Sequence, residues 1–222
     1  IVYPECCGMP QLEQGDFEAV AEKARTVSAA LVAWINDGYD IVALVPSCAL
    51  MLKFEWALIL PNDANVRKLS THTFDISEYI VGLSQKEGLA DGLSSLSGGV
   101  TVHLACHARA QNMGPKAVEM LRLIPDVDLT VIERCSGHGG IWGVKKGHFD
   151  TALKVGRPAA RAAIKAGSAF VASECPLAGE HLRQGMERLA NGPVMIEQVT
   201  HPIQLLAHAY GLRGGLLLWE RI

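Results

Sequence analysis

Apolar side chains at Phe17, Val20, Ala21, Ala24, Val27, Leu31 and Trp34 recur at three- and four-residue intervals. That period predicts an amphipathic helix ending near Asn36-Asp37-Gly38. The unbroken apolar run 41–45 then reads as a buried strand, and after Pro46-Ser47-Cys48 the segment 49–60 has helical spacing up to a stop at Pro61-Asn62-Asp63. A further helix is predicted over 77–87. Residues 89–99 are rich in Gly and Ser, as a linker would be. Beyond them the pattern predicts strands at 100–104, 129–132, 168–173 and 194–196, and helices at 115–123, 149–166, 176–189 and 202–210. Strands alternating with helices of this length give right-handed crossovers and parallel pairing. The chain therefore reads as an α/β protein of two parallel-sheet halves, residues 1–96 and 97–222.

The two halves carry the same cysteine pattern. Cys6-Cys7-Gly8 leads into a helix and then a strand that ends at Cys48; Cys135-Ser136-Gly137 does the same and ends at Cys175. The leading and trailing cysteines are 42 residues apart in the first block and 40 in the second. In parallel sheets ligands bind outside the carboxyl ends of the strands, which is where Cys48, Cys106, Cys135 and Cys175 all fall. Repeated units of this kind bring distant thiols together, as a metal or iron–sulfur site requires. In the second half a strand with its own cysteine, Cys106, precedes Cys135 by 29 residues. The matching cysteine of the first half is expected upstream of Ile1, in a chain cut at its front end.

Composition narrows the possibilities without choosing among them. The 222 residues are 49% apolar with a net charge of −3, ordinary for a protein that buries a real core, so no nucleic-acid partner is implied. No apolar run approaches the roughly 18 residues of a membrane span. A cytoplasmic protein is expected, or one lying peripherally on the inner face of the cytoplasmic membrane. Adjacent Cys6 and Cys7, and no leader for secretion, favour reduced thiols over disulfides among the six cysteines.

Neighbouring thiolates such as Cys6 and Cys7 sit poorly on one ion but can bind different irons of a cluster. The bland alternative is a buried pair packed as small apolar residues. His138 and His107, beside Cys135 and Cys106, are candidate ligands or donors to cluster sulfur. Equally, His138 can simply hydrogen-bond backbone within its Gly-rich turn. Gly137-His138-Gly139-Gly140 lacks the lysine and hydroxyl of a phosphate loop, so nucleotide binding is discounted. Two further readings stay open: a structural zinc site of Cys106, Cys135, Cys175 and His138, and a metal-free thiol–disulfide catalyst using Cys6 and Cys7.

Cys6-Cys7-Gly8-Met9-Pro10, Pro46-Ser47-Cys48 followed by Leu52-Lys53-Phe54-Glu55-Trp56, His103-Leu104-Ala105-Cys106-His107, Cys135-Ser136-Gly137 and His201-Pro202-Ile203-Gln204-Leu205-Leu206 resemble the cysteine-rich CCG-domain family. That family includes one of the subunits of anaerobic glycerol-3-phosphate dehydrogenase, one of those of heterodisulfide reductase, and an iron–sulfur component of lactate oxidation. The resemblance spans nearly the whole chain up to Leu212. It implies two pseudo-repeated α/β domains whose cysteine sets hold iron–sulfur clusters of the 4Fe-4S type. It also implies a subunit that relays electrons from a flavoprotein dehydrogenase towards quinone, or to a disulfide. The departures are Ser136 where the family's second doublet has a cysteine, and Ala178 where a Cys-x-x-Cys pair often closes the motif. The resemblance leaves Cys6, Cys7 and Cys48 for one site, and Cys106, Cys135 and Cys175 with His138 for the other.

Overall fold

A computed structural model describes residues 4–190 and 199–212. The first half begins with the short helix α1 (Met9–Leu12) and the long helix α2 (Phe17–Asn36). Asp16 caps α2 by accepting from the amide of Ala19; of the predicted stripe Val20, Ala24, Val27 and Leu31 are buried, while Phe17 and Trp34 at its ends are exposed and Ile35 takes the buried place of Trp34. Strand β1 (Ile41–Ala43) runs into α3 (Pro46–Leu50), a π-helical turn at Met51–Glu55, and α4 (Trp56–Ile59). The extra residue of such a turn re-aims the chain beyond it, and here it carries Trp56 into the core, fully buried. Helix α5 (Ala64–Thr71), strand β2 (Thr73–Asp75) and helix α6 (Ile76–Lys86) complete this half.

Two of these elements escape the hydrophobic pattern. Asp63 not only stops one helix but starts α5, accepting from the amides of Asn65 and Val66. Strand β2 has three residues, too few to show a period, yet it pairs in parallel with β1, Ile41 opposite Thr73.

The second half follows the predicted alternation closely: β3 (Val100–His103), α7 (Cys106–Ala110), α8 (Lys116–Leu121), β4 (Leu129–Ile132), α9 (Phe149–Ala166), β5 (Phe170–Ser173), α10 (Pro176–Ala190) and α11 (Pro202–Ala209). The sheet order is β4-β3-β5, all parallel, with Ala172 bridged to Thr200 on the far side of β5. The strand expected at 194–196 lies outside the described residues. The stretch expected to be a linker is held down. Leu96 is buried among the apolar side chains of β3 and α8, the Ser94 amide donates to the Ala209 carbonyl, and the Tyr210 hydroxyl donates to the Ala90 carbonyl. Val81 of α6 joins the same cluster, so that helix packs against α8 and α11 of the second half although it follows the first sheet.

A buried polar network ties the halves together. Lys53 on the π-helical turn contacts Glu78 of α6 at 2.6 Å and the Gln111 side-chain oxygen at 3.1 Å. The Gln111 amide nitrogen donates to the Pro46 carbonyl and to Asp75, each at 3.4 Å. Asp75 caps α6 in a reciprocal capping box with Glu78, and burial raises its carboxyl pKa. Gln111 thus holds α7, which begins at Cys106, against α3, which contains Cys48.

Glycines set how closely α9 meets the turn after β4. A Cβ on Gly156 would lie well inside contact distance of the Ser136 carbonyl oxygen, and one on Gly137 would strike the Ala152 carbonyl. Gly82 in α6 has open space around it. Gly156→Ala should therefore lower unfolding free energy by roughly 1–3 kcal/mol, because a backbone overlap outweighs the helix-propensity gain. Gly82→Ala should raise it by about 0.5–1 kcal/mol. Denaturant unfolding of the two variants checks both signs.

His201 accepts from the Ile203 amide through Nδ1 at the start of α11, and burial holds its pKa down at about 4. A group whose folded pKa lies below its unfolded value near 6.5 must stay neutral to fold. Its contribution is present above about pH 6.5 and is lost as pH falls towards 4. His201→Asn, which keeps a capping acceptor, should flatten stability against pH across that window in equilibrium unfolding.

Candidate metal centre

Both leading cysteines lie in turns of one shape. Gly8 has φ 85° and Gly137 has φ 84°, a conformation that a side chain strains. Each turn packs on the long helix that comes after it: Gly8 against Val20 and Lys23 of α2, Gly137 against Ala152 of α9. The turns are also gripped alike from behind. The Cys7 carbonyl accepts from Nε1 of Trp56 at 3.0 Å, and the Ser136 carbonyl accepts from Nδ1 of His181 at 2.7 Å. Trp56 and His181 both belong to the helical segment entered at the trailing cysteine, Cys48 or Cys175. In each half, then, a ring N–H joins the trailing-cysteine helix to the leading-cysteine turn.

Three strand ends in the second half are tied by His103. Its Nε2–H donates to the Arg134 carbonyl at 2.9 Å, and its Nδ1 accepts from the Ser173 hydroxyl at 3.0 Å. Burial lowers the pKa of this imidazole, so it stays neutral in that tautomer. The ring spans the residues just before Cys135 and just before the Glu174-Cys175 pair. It therefore helps to set the spacing of two thiols from the strand between them.

All six cysteines line one cavity of about 380 Å³, together with His107 and His138. The sequence suggests a site at the mouth of each sheet; the fold turns the two mouths towards each other, and the Gln111 bridge holds them there. Cys7 is buried, Cys48 and Cys175 are half-buried, and Cys6, Cys106 and Cys135 are exposed. Glu13, at the end of α1, reaches across and accepts from the Ile141 amide at 3.1 Å, which fastens the Gly139-Gly140 turn over the first cysteine block.

The thiols perturb one another. Cys7 donates to Cys48, which raises the pKa of Cys7 and, with Ser47, lowers that of Cys48. Burial, then the neighbouring Cys135, raises that of Cys106, and burial raises that of Cys175 against the pull of the Leu177 and Ala178 amides. Apolar walls and crowded sulfurs thus disfavour several thiolates unless positive charge joins them, which is what a metal centre supplies. Glu174 fits the same electrostatics. Burial pushes its carboxyl up to about 8, so it is neutral at pH 7 and accepts from the Ala105 amide at 3.1 Å without adding negative charge beside the sulfurs.

His138 is 8% exposed, and its Nε2 is buried with no hydrogen-bond partner among the described residues. Its pKa is lowered by burial and by His181, whose ring centroid lies 6.3 Å away. Among the described residues no three His, Cys, Asp or Glu side chains stand close enough to hold a single metal ion. The donor set, soft thiolates around a mostly apolar cavity, suits an iron–sulfur group.

Trp56, His181, His103 and Glu13 are the residues of this site that spacing alone does not mark. Trp56 and His181 follow their trailing cysteines by eight and six residues, and the π-helical turn before Trp56 obscures the correspondence.

The cysteine-rich domain model named CCG matches residues 2–53 and 100–183. The chain is 26% identical over 211 residues to a subunit of the anaerobic glycerol-3-phosphate dehydrogenase of Escherichia coli, covering 92% of this chain and 49% of that protein. It is 26% identical over 215 residues to a subunit of the fumarate reductase (CoM/CoB) of Methanothermobacter marburgensis, covering 92% and 38% respectively. With a subunit of the dihydromethanophenazine:CoB–CoM heterodisulfide reductase of Methanosarcina barkeri it shares 24% over 219 residues, 93% of this chain and 50% of that one. The chain spans about half the length, or less, of these curated relatives. The matched segments contain all six cysteines and both glycine turns, and on that ground the chain belongs to the cysteine-rich CCG-domain family.

Proposed function

We propose that this chain is the iron–sulfur electron-transfer part of a redox complex, built of two CCG-type units, residues 1–96 and 97–222, whose cysteine sets share one cavity. The observation that carries the reading is the convergence of six free thiols on that cavity. Cys6, Cys7 and Cys48 would serve one centre, and Cys106, Cys135 and Cys175 the other. Each centre, when bound, supplies one-electron storage that organic side chains lack. The protein's own residues position the thiols: the glycine turns set the leading ones, the strand ends set the others, and a mostly apolar lining surrounds them. A flavoprotein dehydrogenase of the glycerol-3-phosphate type would deliver electrons, and quinone or a disulfide would take them. Among the described residues no helix is long and apolar enough to cross a membrane, which fits a subunit held in its complex by protein contacts or lying peripherally on the cytoplasmic membrane.

His138 is the fourth ligand of the second centre in this reading. It lines the cavity beside three cysteines, in a half where this chain has Ser136 and Ala178 at positions where the family pattern has cysteines, and among the described residues its buried Nε2 has no hydrogen-bond partner. A 4Fe-4S cubane held by three thiolates and an imidazole suits that set.

Protein reconstituted anaerobically should contain iron and acid-labile sulfide in equal amounts and absorb in the visible. Cys106→Ser, Cys135→Ser or Cys175→Ser should each remove roughly half of both, as expected when one of two centres loses a thiolate. One equivalent of zinc without sulfide would select the structural alternative, and rapid metal-free turnover of disulfides would select the thiol catalyst. Pulsed EPR of the reduced protein should show the hyperfine coupling of a coordinated nitrogen that vanishes in His138→Gln and persists in His107→Gln. The reverse pattern would move the ligand to His107.

A further inference from the structure

The peptide group between Ser136 and Gly137 is hydrogen-bonded at both ends. Its carbonyl accepts from His181, and its N–H donates to Sγ of Cys135 at 3.3 Å. The bond is trans, so the C=O and N–H point in opposite directions and fixing one end aims the other. His181 is well suited to do the fixing. It is 3% exposed, comes from α10 and meets Phe149 of α9 edge-on, so packing holds the ring in place. A carbonyl that is itself hydrogen-bonded also polarises its amide, which strengthens the donation to sulfur.

The first half repeats the carbonyl end of this arrangement with a different ring. Trp56 donates to the Cys7 carbonyl, and the following residue is again a glycine at the same φ. An indole and an imidazole share neither shape nor basicity. What they share is an N–H placed at the same peptide carbonyl, which marks that contact, and not the packing of either ring, as the common feature of the two turns.

We infer that His181 is a positioning residue that sets the reduction potential of the centre bound through Cys135, by aiming the Gly137 amide at the cysteine sulfur. The inference rests on the iron–sulfur reading of the cavity. One electron added to such a centre increases the negative charge on its sulfurs, and an amide hydrogen pointed at a sulfur stabilises that charge. Releasing the carbonyl lets the peptide swing and weakens the donation. The potential then falls.

The test compares wild-type holoprotein, reconstituted anaerobically, with His181→Phe, which fills the space without a donor, and His181→Gln, which keeps an N–H. Redox titration monitored by EPR should show reduction about tenfold less favourable in the Phe variant, about 59 mV for a one-electron couple, with the Gln variant close to wild type. Iron and sulfide content should be the same in all three. In wild type exchanged into deuterium oxide, electron–nuclear double resonance should show an exchangeable deuteron coupled to the reduced centre, with weaker coupling in His181→Phe. Unchanged potential and coupling in the Phe variant would overturn the inference. So would a wild-type centre with no coupled deuteron, a result that stands even if the Phe variant fails to fold. Wild-type protein that takes up neither iron nor sulfide would instead overturn the iron–sulfur reading, and the tuning role would fall with it.

Discussion

A turn with φ near +85°, pressed against a long helix, is the constraint on which both halves of this molecule depend. At Gly137 and Gly156 the contact is backbone to backbone, and no side chain larger than hydrogen fits on either face. Gly8 meets α2 through side chains and is less tightly held. The long helix therefore does more than cross over between strands. It fixes where the leading cysteine stands, and the strand it precedes returns the trailing cysteine to the same place. Ring donors then hold the turn from the other side, Trp56 in one half and His181 in the other.

Legibility from sequence tracks how far a feature depends on regular spacing. Helix α2 and helix α9 announce themselves because their apolar faces persist over several turns. Cysteine positions are legible too, since 42- and 40-residue separations reproduce one structural unit. Strand β2 is not, because three residues carry no period and its pairing with β1 is a tertiary contact. Helix α5 escapes for a different reason: Pro61-Asn62-Asp63 reads as a terminator, whereas the Asp63 side chain is also an N-cap. The meeting of both cysteine sets in one cavity lies beyond sequence reading altogether. It involves Gln111 bridging to Pro46 and Asp75 and Glu13 accepting from Ile141, polar contacts between residues tens of positions apart with nothing in their neighbours to signal them.

The halves are similar in frame and different in chemistry. In the first, Cys7 occupies the buried middle position of the turn and donates to Cys48. In the second, the equivalent position is Ser136, also buried, whose hydroxyl oxygen receives only the long contact from the His138 amide at 3.5 Å. Loss of that thiol leaves room in the ligand set, and two buried histidines stand beside it, His138 and His181. Neutral Glu174, next to Cys175 in the chain, adds no charge there. In the proposed reading, two centres in such different settings would hold electrons at different potentials, which would give transfer between them a direction.

Metal binding in the cavity that both cysteine sets face is tested most directly by diffraction from the anaerobically loaded protein, with data collected on either side of the iron absorption edge. Anomalous iron density is expected in two groups, one against Cys6, Cys7 and Cys48 and one against Cys106, Cys135 and Cys175. Iron found away from these sulfurs, or a single isolated ion in place of grouped iron, would contradict it.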